Sequence, residues 1–325
     1  MSHRTKNWIV IPNWNGVDLI ADCLASLRLQ TENTNIIVVD NGSADNSIDI
    51  IEYQFPEVTI LKQPKNLGFA GGVNVGIKYA LDHGADAVAL FNNDAIVQPN
   101  WLKGLVSAMN ESNNAGIVTG KLVQIDEKTI DSTGEGYSVW GMPFPRDRNT
   151  LDTGQRDNPE HVFGATGGAS LYRAEMLKEI GLFDEAFFAY YEDVDISFRA
   201  QLADWKVQYE PSAVAYHHMS ATSSKLGSFT RYHATKNFYL LYAKNMPGWL
   251  YWKYLPLFTL QALRLAASSL IKGAFWPFIK GTVKAFLLTP HIIKERRRIQ
   301  TNRKASLDHI DSLLYKNRPP KIPKL

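Results

Sequence analysis

The stretch AVALFNNDAIV at residues 87–97 decides the fold. Its first five residues are apolar, which is typical of a strand buried on both faces of a parallel sheet. Asn92, Asn93 and Asp94 follow directly, and Pro99 indicates that a helix begins soon after. Open α/β sheets bind ligands at the carboxyl ends of their strands. A carboxylate there can hold a divalent cation against a diphosphate, although a ligand-free Asn/Asp turn is an equally ordinary interpretation.

The rest of the sequence alternates short apolar runs with amphipathic segments. The predicted strands lie at 8–11, 36–39, 58–61 and 87–91, and the predicted helices at 17–29, 47–53 and 70–81. This alternation indicates a parallel sheet with right-handed crossovers, and hence an α/β fold. Beyond it we predict helices at 175–180 and 194–202, short strands at 207–209 and 213–216, and a loop at 142–158.

The composition is that of a globular protein. The chain has 325 residues, of which 45% are hydrophobic and 21% charged, and this excludes disordered and fibrous proteins. The single Cys23 allows no intrachain disulfide, and the N-terminal segment does not resemble a signal peptide, so we expect a cytoplasmic location. A net charge of +3 is unremarkable, and we expect no nucleic-acid partner.

Residues 226–325 differ in composition from residues 1–225, and we predict that the chain divides there into two regions. No Asp or Glu lies between Glu210 and Glu295, whereas ten Lys or Arg do, among many aromatic residues. Charged residues such as Lys253 and Arg264 interrupt every apolar stretch before it reaches the roughly 18 to 20 residues that span a bilayer. We therefore expect no membrane-crossing segment.

This C-terminal region contains a predicted amphipathic helix between Pro256 and Pro277. Its polar residues are three or four positions apart and so share one face; they are Gln261, Arg264, Ser268 and Lys272. Such a helix can lie in a membrane interface, where basic side chains are attracted to anionic lipid. Packing of the helix on the protein core is the alternative, and the missing acidic residues favour the membrane.

Two further strand ends place polar residues at the same sheet edge. Asp40 ends the second strand, and Pro12, Asn13 and Trp14 end the first. A carboxylate at Asp40 can accept hydrogen bonds from a nucleobase or a ribose, and it can equally cap the following turn. The end of the first strand is placed to form a wall of a nucleobase pocket.

Small residues open the third helix, in the segment NLGFAGGVN at residues 66–74. Their missing side chains let backbone amides approach an anion or a ribose, and a helix N-terminus adds a favourable field. The segment is neither GxGxxG nor GxxxxGK[ST], which argues against dinucleotide dehydrogenases and P-loop proteins.

Three acidic residues, Glu192, Asp193 and Asp195, lie within four positions at the start of a predicted helix. Their repulsion is tolerable beside a cation, where a carboxyl group has a functional pKa shift, or where the acids cap the helix. His217 and His218 close a predicted strand. A lone His is usually structural, but two beside a proposed metal site indicate a metal ligand.

Taken in order and spacing, seven segments resemble family 2 glycosyltransferases with the GT-A fold. They are VIPNWNG, VVDNGSAD, NLGFAGGVNVG, FNNDAIV, GATGGASLYR, GLFDEAFFAYYEDVDISFR and YHHMSAT, and together they extend over residues 7–223. Within that family the chain is similar to the bacterial branch with rhamnosyl- and galactofuranosyltransferases of O-antigen and cell-wall polysaccharide assembly. The resemblance implies a mixed, mainly parallel sheet with flanking helices.

The resemblance also implies a role for each candidate residue. The nucleotide-sugar donor would be bound by Pro12, Asn13, Asp40, Asn66, Gly68, Asn92, Asn93, Asp94 and Gly168. Asp193 would be the general base, with Glu192 beside it. Asp94 and His217 would hold a divalent metal, Mn²⁺ or Mg²⁺. His218 stays an alternative to His217, because Met219 and Ser220 replace glycines of the family pattern.

The implied activity is an inverting transfer of a sugar to a saccharide hydroxyl. By resemblance, dTDP-rhamnose is the first choice of donor and UDP-sugars are next, and the acceptor is expected to be linked to a polyprenyl diphosphate at the inner face of the cell membrane. A homo-oligomer is left open. A nucleotidyltransferase would carry a Gly-rich, basic loop after the first strand, which residues 13–17 do not offer. A non-catalytic nucleotide-binding protein would not need Asp94, Asp193 and His217.

Overall fold

The computed structural model describes residues 6–218 and 227–323. The strands are β1 (Asn7–Asn13), β2 (Thr34–Asp40), β3 (Thr59–Lys62), β4 (Ala87–Phe91), β5 (Ala95–Val97), β6 (Ala115–Gln124), β7 (Thr129–Ser132), β8 (Glu135–Tyr137), β9 (Pro143–Pro145), β10 (Thr150–Leu151), β11 (Glu160–His161), β12 (Ala169–Arg173) and β13 (Lys206–His217). The helices are α1 (Ile20–Arg28), α2 (Ser47–Gln54), α3 (Gly68–Asp82), α4 (Trp101–Glu111), α5 (Ala174–Ile180), α6 (Glu192–Leu202), α7 (Gly227–Asn245), α8 (Gly248–Ile271), α9 (Phe275–Leu287), α10 (Thr289–Thr301) and α11 (Leu307–Leu313).

Eleven of the strands form one mixed sheet, which confirms the predicted α/β fold. Its parallel half has the order β4-β1-β2-β3, so the carboxyl ends of these strands lie at one edge. In the other half β12 runs antiparallel between β4 and β6, and β13 pairs in parallel with β6 and antiparallel with β5. β8 and β9 form a separate hairpin.

Alternation along the central strands builds a core on each face of the sheet. In β1, Ile9 and Ile11 face a cluster with α1, α2 and α4, whereas Trp8 and Val10 face a cluster with α3, α5 and α6. Successive side chains of a strand point to opposite faces, and a strand covered on both faces is apolar throughout. The continuous apolar runs in the sequence therefore predicted β1, β2 and β4 correctly.

Three sequence-based expectations are corrected. The two short strands at 207–209 and 213–216 are one strand, β13, with a register shift between Glu210 and Val214. The expected loop at 142–158 contains β9 and β10. The helix expected after Pro256 begins at Gly248, with Pro256 inside it. Pro256 and Trp252, one turn earlier, are both exposed, so the carbonyl that loses its helical partner there can meet water.

A third core joins α6 and the β8 strand to the C-terminal helices. It includes Phe198 of α6, Phe238 and Tyr242 of α7, and Phe258 of α8. The fully buried Lys244 of α7 reaches Asp195 at 2.9 Å. Because a buried charge is costly unless it is paired, this contact ties α7 firmly to α6. The predicted division at 225/226 falls among residues 219–226, which lie outside the described part.

Among the described residues, α8 is the one helix whose length and composition would let it cross a membrane. Lys253 and Arg264 lie within it. We had expected these charges to exclude a membrane-crossing segment, but the length and hydropathy of α8 allow one in spite of them. Only 17% of its most apolar window is buried. Its buried residues Leu250, Tyr254 and Phe258 pack into the third core.

Candidate active site

The ends of the parallel strands bring the predicted donor-binding residues together. Asn13 and Asp40 are register partners at the ends of β1 and β2. The buried Asn13 donates from Nδ2 to Ser47 Oγ at 3.0 Å, and its Oδ1 accepts a hydrogen bond from Asn93 at 2.8 Å. The end of β1 is thereby fixed both to the start of α2 and to the Asn92–Asn93–Asp94 triplet.

A cavity of about 410 Å³, here called the first cavity, opens at this edge. Seven of the nine predicted donor-binding residues line it, together with Trp14; they are Pro12, Asn13, Asn66, Gly68, Asn92, Asn93 and Asp94. Aromatic rings of Phe69, Phe188, Tyr190 and Phe229 complete the wall. Rings beside amide and carboxylate groups suit a ligand with both a flat base and polar substituents.

Asp40 has a different position from the other donor-binding candidates. Its neighbour Asn41 lines the first cavity, and Asp40 is not among the described residues that do. The Asp40 carboxylate accepts a hydrogen bond from the backbone of Ser43 at 3.1 Å. This contact is the turn cap that the sequence left open as the alternative, and a nucleoside role for Asp40 stays a prediction.

Position 68 requires glycine because two loops, at residues 66–68 and around 188, approach closely there. Its φ is +74°, and a Cβ atom on it would lie 2.4 Å from the carbonyl oxygen of Phe188. Asn66 accepts the backbone hydrogen bond of Gly68 at 2.7 Å and so fixes the turn. Because only glycine fits this conformation and this gap, the segment at 66–68 can lie directly against the loop at 188.

His217 connects the triplet to a second acidic residue. The pairing of β5 with β13 places His217 opposite Ala95, beside Asp94. His217 Nε2 lies 3.1 Å from Asp94 Oδ1, and its Nδ1 lies 2.8 Å from Asp131 Oδ2. Arg148 in turn contacts Asp131 at 2.9 Å. Burial alone would lower the pKa of His217, but its bonds to Asp131 and Asp94 outweigh burial and raise the pKa to about 9.

These donors fit a cation that arrives with a diphosphate. A carboxylate and a neutral imidazole suit a divalent metal, so the ion would displace the proton that the raised pKa keeps on His217. Metal-binding His residues commonly have their other ring nitrogen held by a carboxylate, as Asp131 holds Nδ1 of His217. The described residues contain no group of three or more His, Cys, Asp or Glu placed to hold a metal. Asp94 and His217 would therefore share the ion with phosphate and water oxygens.

The choice between the two adjacent histidines follows from the same contacts. The ring of His217 reaches Asp94, whereas His218 contacts Asp94 through its backbone, donating from N to the carbonyl oxygen at 2.9 Å. His217 is thus the better ligand candidate. Met219 and Ser220, which raised the question, lie outside the described residues.

A second cavity, of about 420 Å³, adjoins the first. Phe69, Asn92, Ala189 and Tyr190 line both, so the two cavities form one cleft. The second cavity carries most of the acidic groups; its charged and titratable lining residues are Asp131, Glu135, Arg148, Glu192, Asp193 and His217. The predicted catalytic acids and the predicted metal ligand His217 therefore face the same space.

Asp193 is held at the start of α6 by two backbone amides. Its Oδ2 accepts from Gly167 at 3.0 Å and its Oδ1 from Val194 at 2.8 Å. Burial raises the pKa of Asp193, and these hydrogen bonds oppose the rise. A buried carboxylate with a raised pKa and a fixed orientation has the properties of a general base.

Gly168 lets the segment that holds Asp193 pack against Asn92 of the triplet. A Cβ atom on Gly168 would be 2.8 Å from Asn92 Nδ2, and the backbone of Asn92 donates to the Gly168 carbonyl at 2.9 Å. Gly167, which holds Asp193, precedes it directly. The two glycines line the second cavity and let the backbone that holds Asp193 pack against Asn92, a residue of the shared wall.

Two further acids lie beside Asp193 in a buried cluster. Burial, and then the charge of Asp193, raises the pKa of Glu192 to about 8. The same two causes raise the pKa of Glu135 well above its usual range. In the described part of the chain Glu192 Oε2 has no hydrogen-bond partner. A raised pKa favours the uncharged form of each carboxyl group, which lessens the repulsion of an ionised Asp193.

The loop before Asp193 has an unusual backbone. Phe188, Tyr190 and Tyr191 have φ values of 65°, 71° and 70°, in the left-handed region that non-glycine residues seldom adopt. Asn237 of α7 holds this loop, donating from Nδ2 to the carbonyls of Phe187, Ala189 and Tyr190 at 3.0, 2.8 and 2.6 Å. Helix α7 thus supports the loop that precedes Asp193, the predicted base.

Sequence reasoning missed several of these groups. No local motif marks Asp131, Glu135, Arg148 or Asn237. They reach the cleft through contacts with residues that are distant in the chain; Asp131, for example, is 86 positions from His217. The one usable signal was chemical: a buried histidine beside a carboxylate needs a partner for its other nitrogen.

The sheet is mixed, with more antiparallel than parallel strand pairs, so the expected predominance of parallel strands holds only for the half that carries the cleft. A mixed sheet with such a cleft at its parallel carboxyl edge is the arrangement expected of a glycosyltransferase with the GT-A fold. The family model described as "Glycosyl transferase family 2" matches residues 8–181, which is more than half of the chain. The chain therefore belongs to that family. The predicted family assignment is confirmed.

Curated relatives and a solved structure agree with this assignment. The chain is 28% identical over 249 residues, 70% of this chain and 80% of the relative, to the N-acetylglucosaminyl-diphospho-decaprenol L-rhamnosyltransferase of Mycobacterium tuberculosis. It is 22% identical over 226 residues, 67% of this chain and 74% of the relative, to the dTDP-rhamnosyl transferase RfbF of Shigella flexneri. The mannosyltransferase PcManGT of Pyrobaculum calidifontis, solved with GDP-Man and Mn²⁺, matches with a TM-score of 0.56 at 14% identity, covering 92% of this chain and 86% of that one. This likeness confirms the GT-A fold.

Proposed function

We propose that this glycosyltransferase moves L-rhamnose from dTDP-rhamnose, with inversion, to a hydroxyl of a saccharide linked to a polyprenyl diphosphate. The observation that carries the proposal is the position of Asp193 in the second cavity, across the shared wall from Asp94 and the first cavity. The names of the two rhamnosyltransferase relatives support the choice of sugar, nucleotide and lipid-linked acceptor.

The chemistry is a single displacement at the anomeric carbon. Asp193 accepts the proton of the acceptor hydroxyl while that oxygen forms the new glycosidic bond, and the bond to the diphosphate breaks on the opposite face. Attack without a protein nucleophile inverts the configuration. Asp94 and His217, whose side chains lie 3.1 Å apart, would hold Mn²⁺ or Mg²⁺, which when bound would neutralise charge on the leaving diphosphate.

The test is a panel of donors with one acceptor. Purified protein with N-acetylglucosamine diphosphate undecaprenol and Mn²⁺ should transfer sugar from dTDP-rhamnose and far less from UDP-galactose, UDP-N-acetylglucosamine or GDP-mannose. NMR of the product should show the inverted anomer. Preferred turnover of a UDP-sugar would replace the donor, and a retained configuration would refute the displacement mechanism.

We also propose that the protein associates peripherally with the inner face of the cell membrane through α8 and α9. Exposed apolar side chains of these helices include Trp252 (70% exposed), Ile271 (86%), Trp276 (72%) and Phe286 (69%). Lys272, Lys280 and Lys284 are exposed among them. Apolar groups interspersed with basic groups favour an anionic lipid interface over water.

Vesicle flotation tests this association. The double substitution Trp276→Ser and Phe286→Ser should reduce binding to phosphatidylglycerol vesicles. The matched control replaces Tyr53 and Leu151, which are 87% and 65% exposed elsewhere on the molecule, with Ser. Equal flotation of both variants would refute the proposed surface. Point substitutions are preferable to deletion of the helices, since deletion would expose the third core.

A further inference from the structure

A cavity of about 890 Å³, here called the helical cavity, lies among α7, α8, α9 and α10. Its wall is mainly aromatic and aliphatic, including Tyr239, Tyr242, Trp252, Phe258, Phe286 and Ile292. Among the described residues it shares none with the lining of the first or the second cavity. Its volume lies in the range of pockets that bind small organic ligands.

The helical cavity runs from the protein core to the exposed apolar surface. Tyr242 and Phe258 at its inner wall are 1% and 9% exposed. Trp252, Phe286 and Ile293 at its opening are 70%, 69% and 45% exposed. A hydrocarbon chain could therefore enter from the proposed membrane-facing surface without crossing water.

The charge around the helical cavity favours a lipid with an anionic head group. Arg296 lines it, and its guanidinium is fixed by hydrogen bonds to the carbonyls of Ala243 at 2.9 Å and Met246 at 2.8 Å. Arg297 is exposed on α10 and lies about 40° round the helix from Ile293, which lines the cavity. The lining residues within the described chain include no Asp or Glu.

Helix α7 connects the helical cavity to the catalytic cleft. Asn237 of α7 holds the Tyr190 carbonyl in the loop that lines both cleft cavities. Tyr239 and Tyr242, which line the helical cavity, follow two and five residues later. At about 1.5 Å of rise per residue, they lie only about 3 and 7.5 Å further along the helix axis.

We propose that the helical cavity binds the isoprenoid chain of a lipid diphosphate whose sugar is the acceptor. The inference rests on the proposed function in one respect, that the acceptor is lipid-linked. The cavity offers the apolar volume and the basic residues around it complement the diphosphate. Because Tyr239 and Asn237 lie on nearly opposite faces of α7, one helix diameter of about 10 Å separates the cavity from the loop that lines the cleft. Bulk phospholipid would need no such pocket beside the catalytic loop.

A photoreactive probe tests this assignment. We would use a benzophenone analogue of geranylgeranyl diphosphate with the full chain, and map the labelled peptides by mass spectrometry. Ala243→Phe fills the cavity from its wall, and Ile293→Trp narrows its opening. Leu263→Phe is the control, because Leu263 is 62% exposed on α8 and is not among the described lining residues.

The wild type and the Leu263→Phe control should be labelled at the cavity-lining parts of α7, α8, α9 or α10, and unlabelled geranylgeranyl diphosphate should compete. Ala243→Phe and Ile293→Trp should weaken binding about tenfold or more, which is about 1.4 kcal/mol. Hydrolysis of the nucleotide sugar in the absence of acceptor should be the same in all four proteins.

Unchanged binding by Ile293→Trp, whose exposed site tolerates a larger ring, would overturn the proposal even if Ala243→Phe unfolds. Full competition by inorganic diphosphate would show head-group binding alone, and full competition by phosphatidylglycerol vesicles would show a general acyl-chain site; either result also overturns it. Because the readout is binding, a failure of dTDP-rhamnose turnover would refute the proposed function and leave this result standing.

Discussion

The two halves of the cleft are built in different ways. The first cavity rests mainly on residues at the ends of β1 and β4 and the start of α3, where adjacent parallel strands end at one edge. The second cavity joins segments around 131–148, 166–168, 189–194 and 217, held together by distant contacts such as His217 with Asp131. In the proposed reaction, donor binding would thus depend on the sheet, whereas the transfer step would depend on tertiary contacts that extend to α7.

The largest effect should come from the base in the second half. We expect Asp193→Asn to lower transfer about 100- to 10,000-fold, because an amide cannot accept the acceptor proton. Binding of dTDP by calorimetry should be nearly unchanged. Asp204→Asn, at an exposed site after α6, is the control for a neutral substitution. Loss of dTDP binding in Asp193→Asn would mean that the two halves are not separable.

A smaller effect is expected where the halves meet. Ala at His217 should raise the Mn²⁺ concentration needed for half-maximal transfer about 10- to 100-fold, and EDTA should abolish transfer by the wild type. Asp131→Asn should have a weaker effect in the same direction, since Asp131 orients His217 from Nδ1. Mn²⁺ titrations with dTDP present measure both. If Asp131→Asn lowered transfer at saturating Mn²⁺ as much as Asp193→Asn does, Asp131 would be assigned to the reaction step instead.

The construction of the two halves also explains what the sequence could predict. β1, β2, β4 and the triplet Asn92–Asn93–Asp94 were predictable because strand burial and strand ends leave a local pattern. Asp131 and Asn237 were not, because their roles arise only from contacts with residues 86 and 47 or more positions away. The start of α8 was predicted wrongly at Pro256 for a related reason. The exposure that lets a helix contain this proline is a property of the packed helix and leaves no pattern in the sequence.

A third prediction tests how far α7 supports the second half. Asn237→Ala removes the side chain that holds three carbonyls of the strained loop at 187–190. We expect kcat to fall about tenfold through misplacement of Asp193, with KM for dTDP-rhamnose little changed. Ala at Asn302, which is exposed after α10, is the control. A rise in KM alone would place the effect of Asn237 in the first cavity, through Phe188 and Tyr190.

The smallest effect concerns the buried acids of the second half. Burial and Asp193 raise the pKa of Glu192 to about 8, so between pH 4.5 and 8 the folded protein binds more protons at this site than the unfolded chain. The contribution of Glu192 to stability is therefore fully present below its unfolded pKa and is lost as pH rises through about 8. Glu192→Gln removes this titration, and the melting temperature of the variant should fall less than that of the wild type between pH 5 and pH 8.5. If the melting temperatures of the variant and the wild type fell equally between the two pH values, the pKa of Glu192 would not be raised in the fold. The low charge inferred for the cluster around Asp193 would then be wrong.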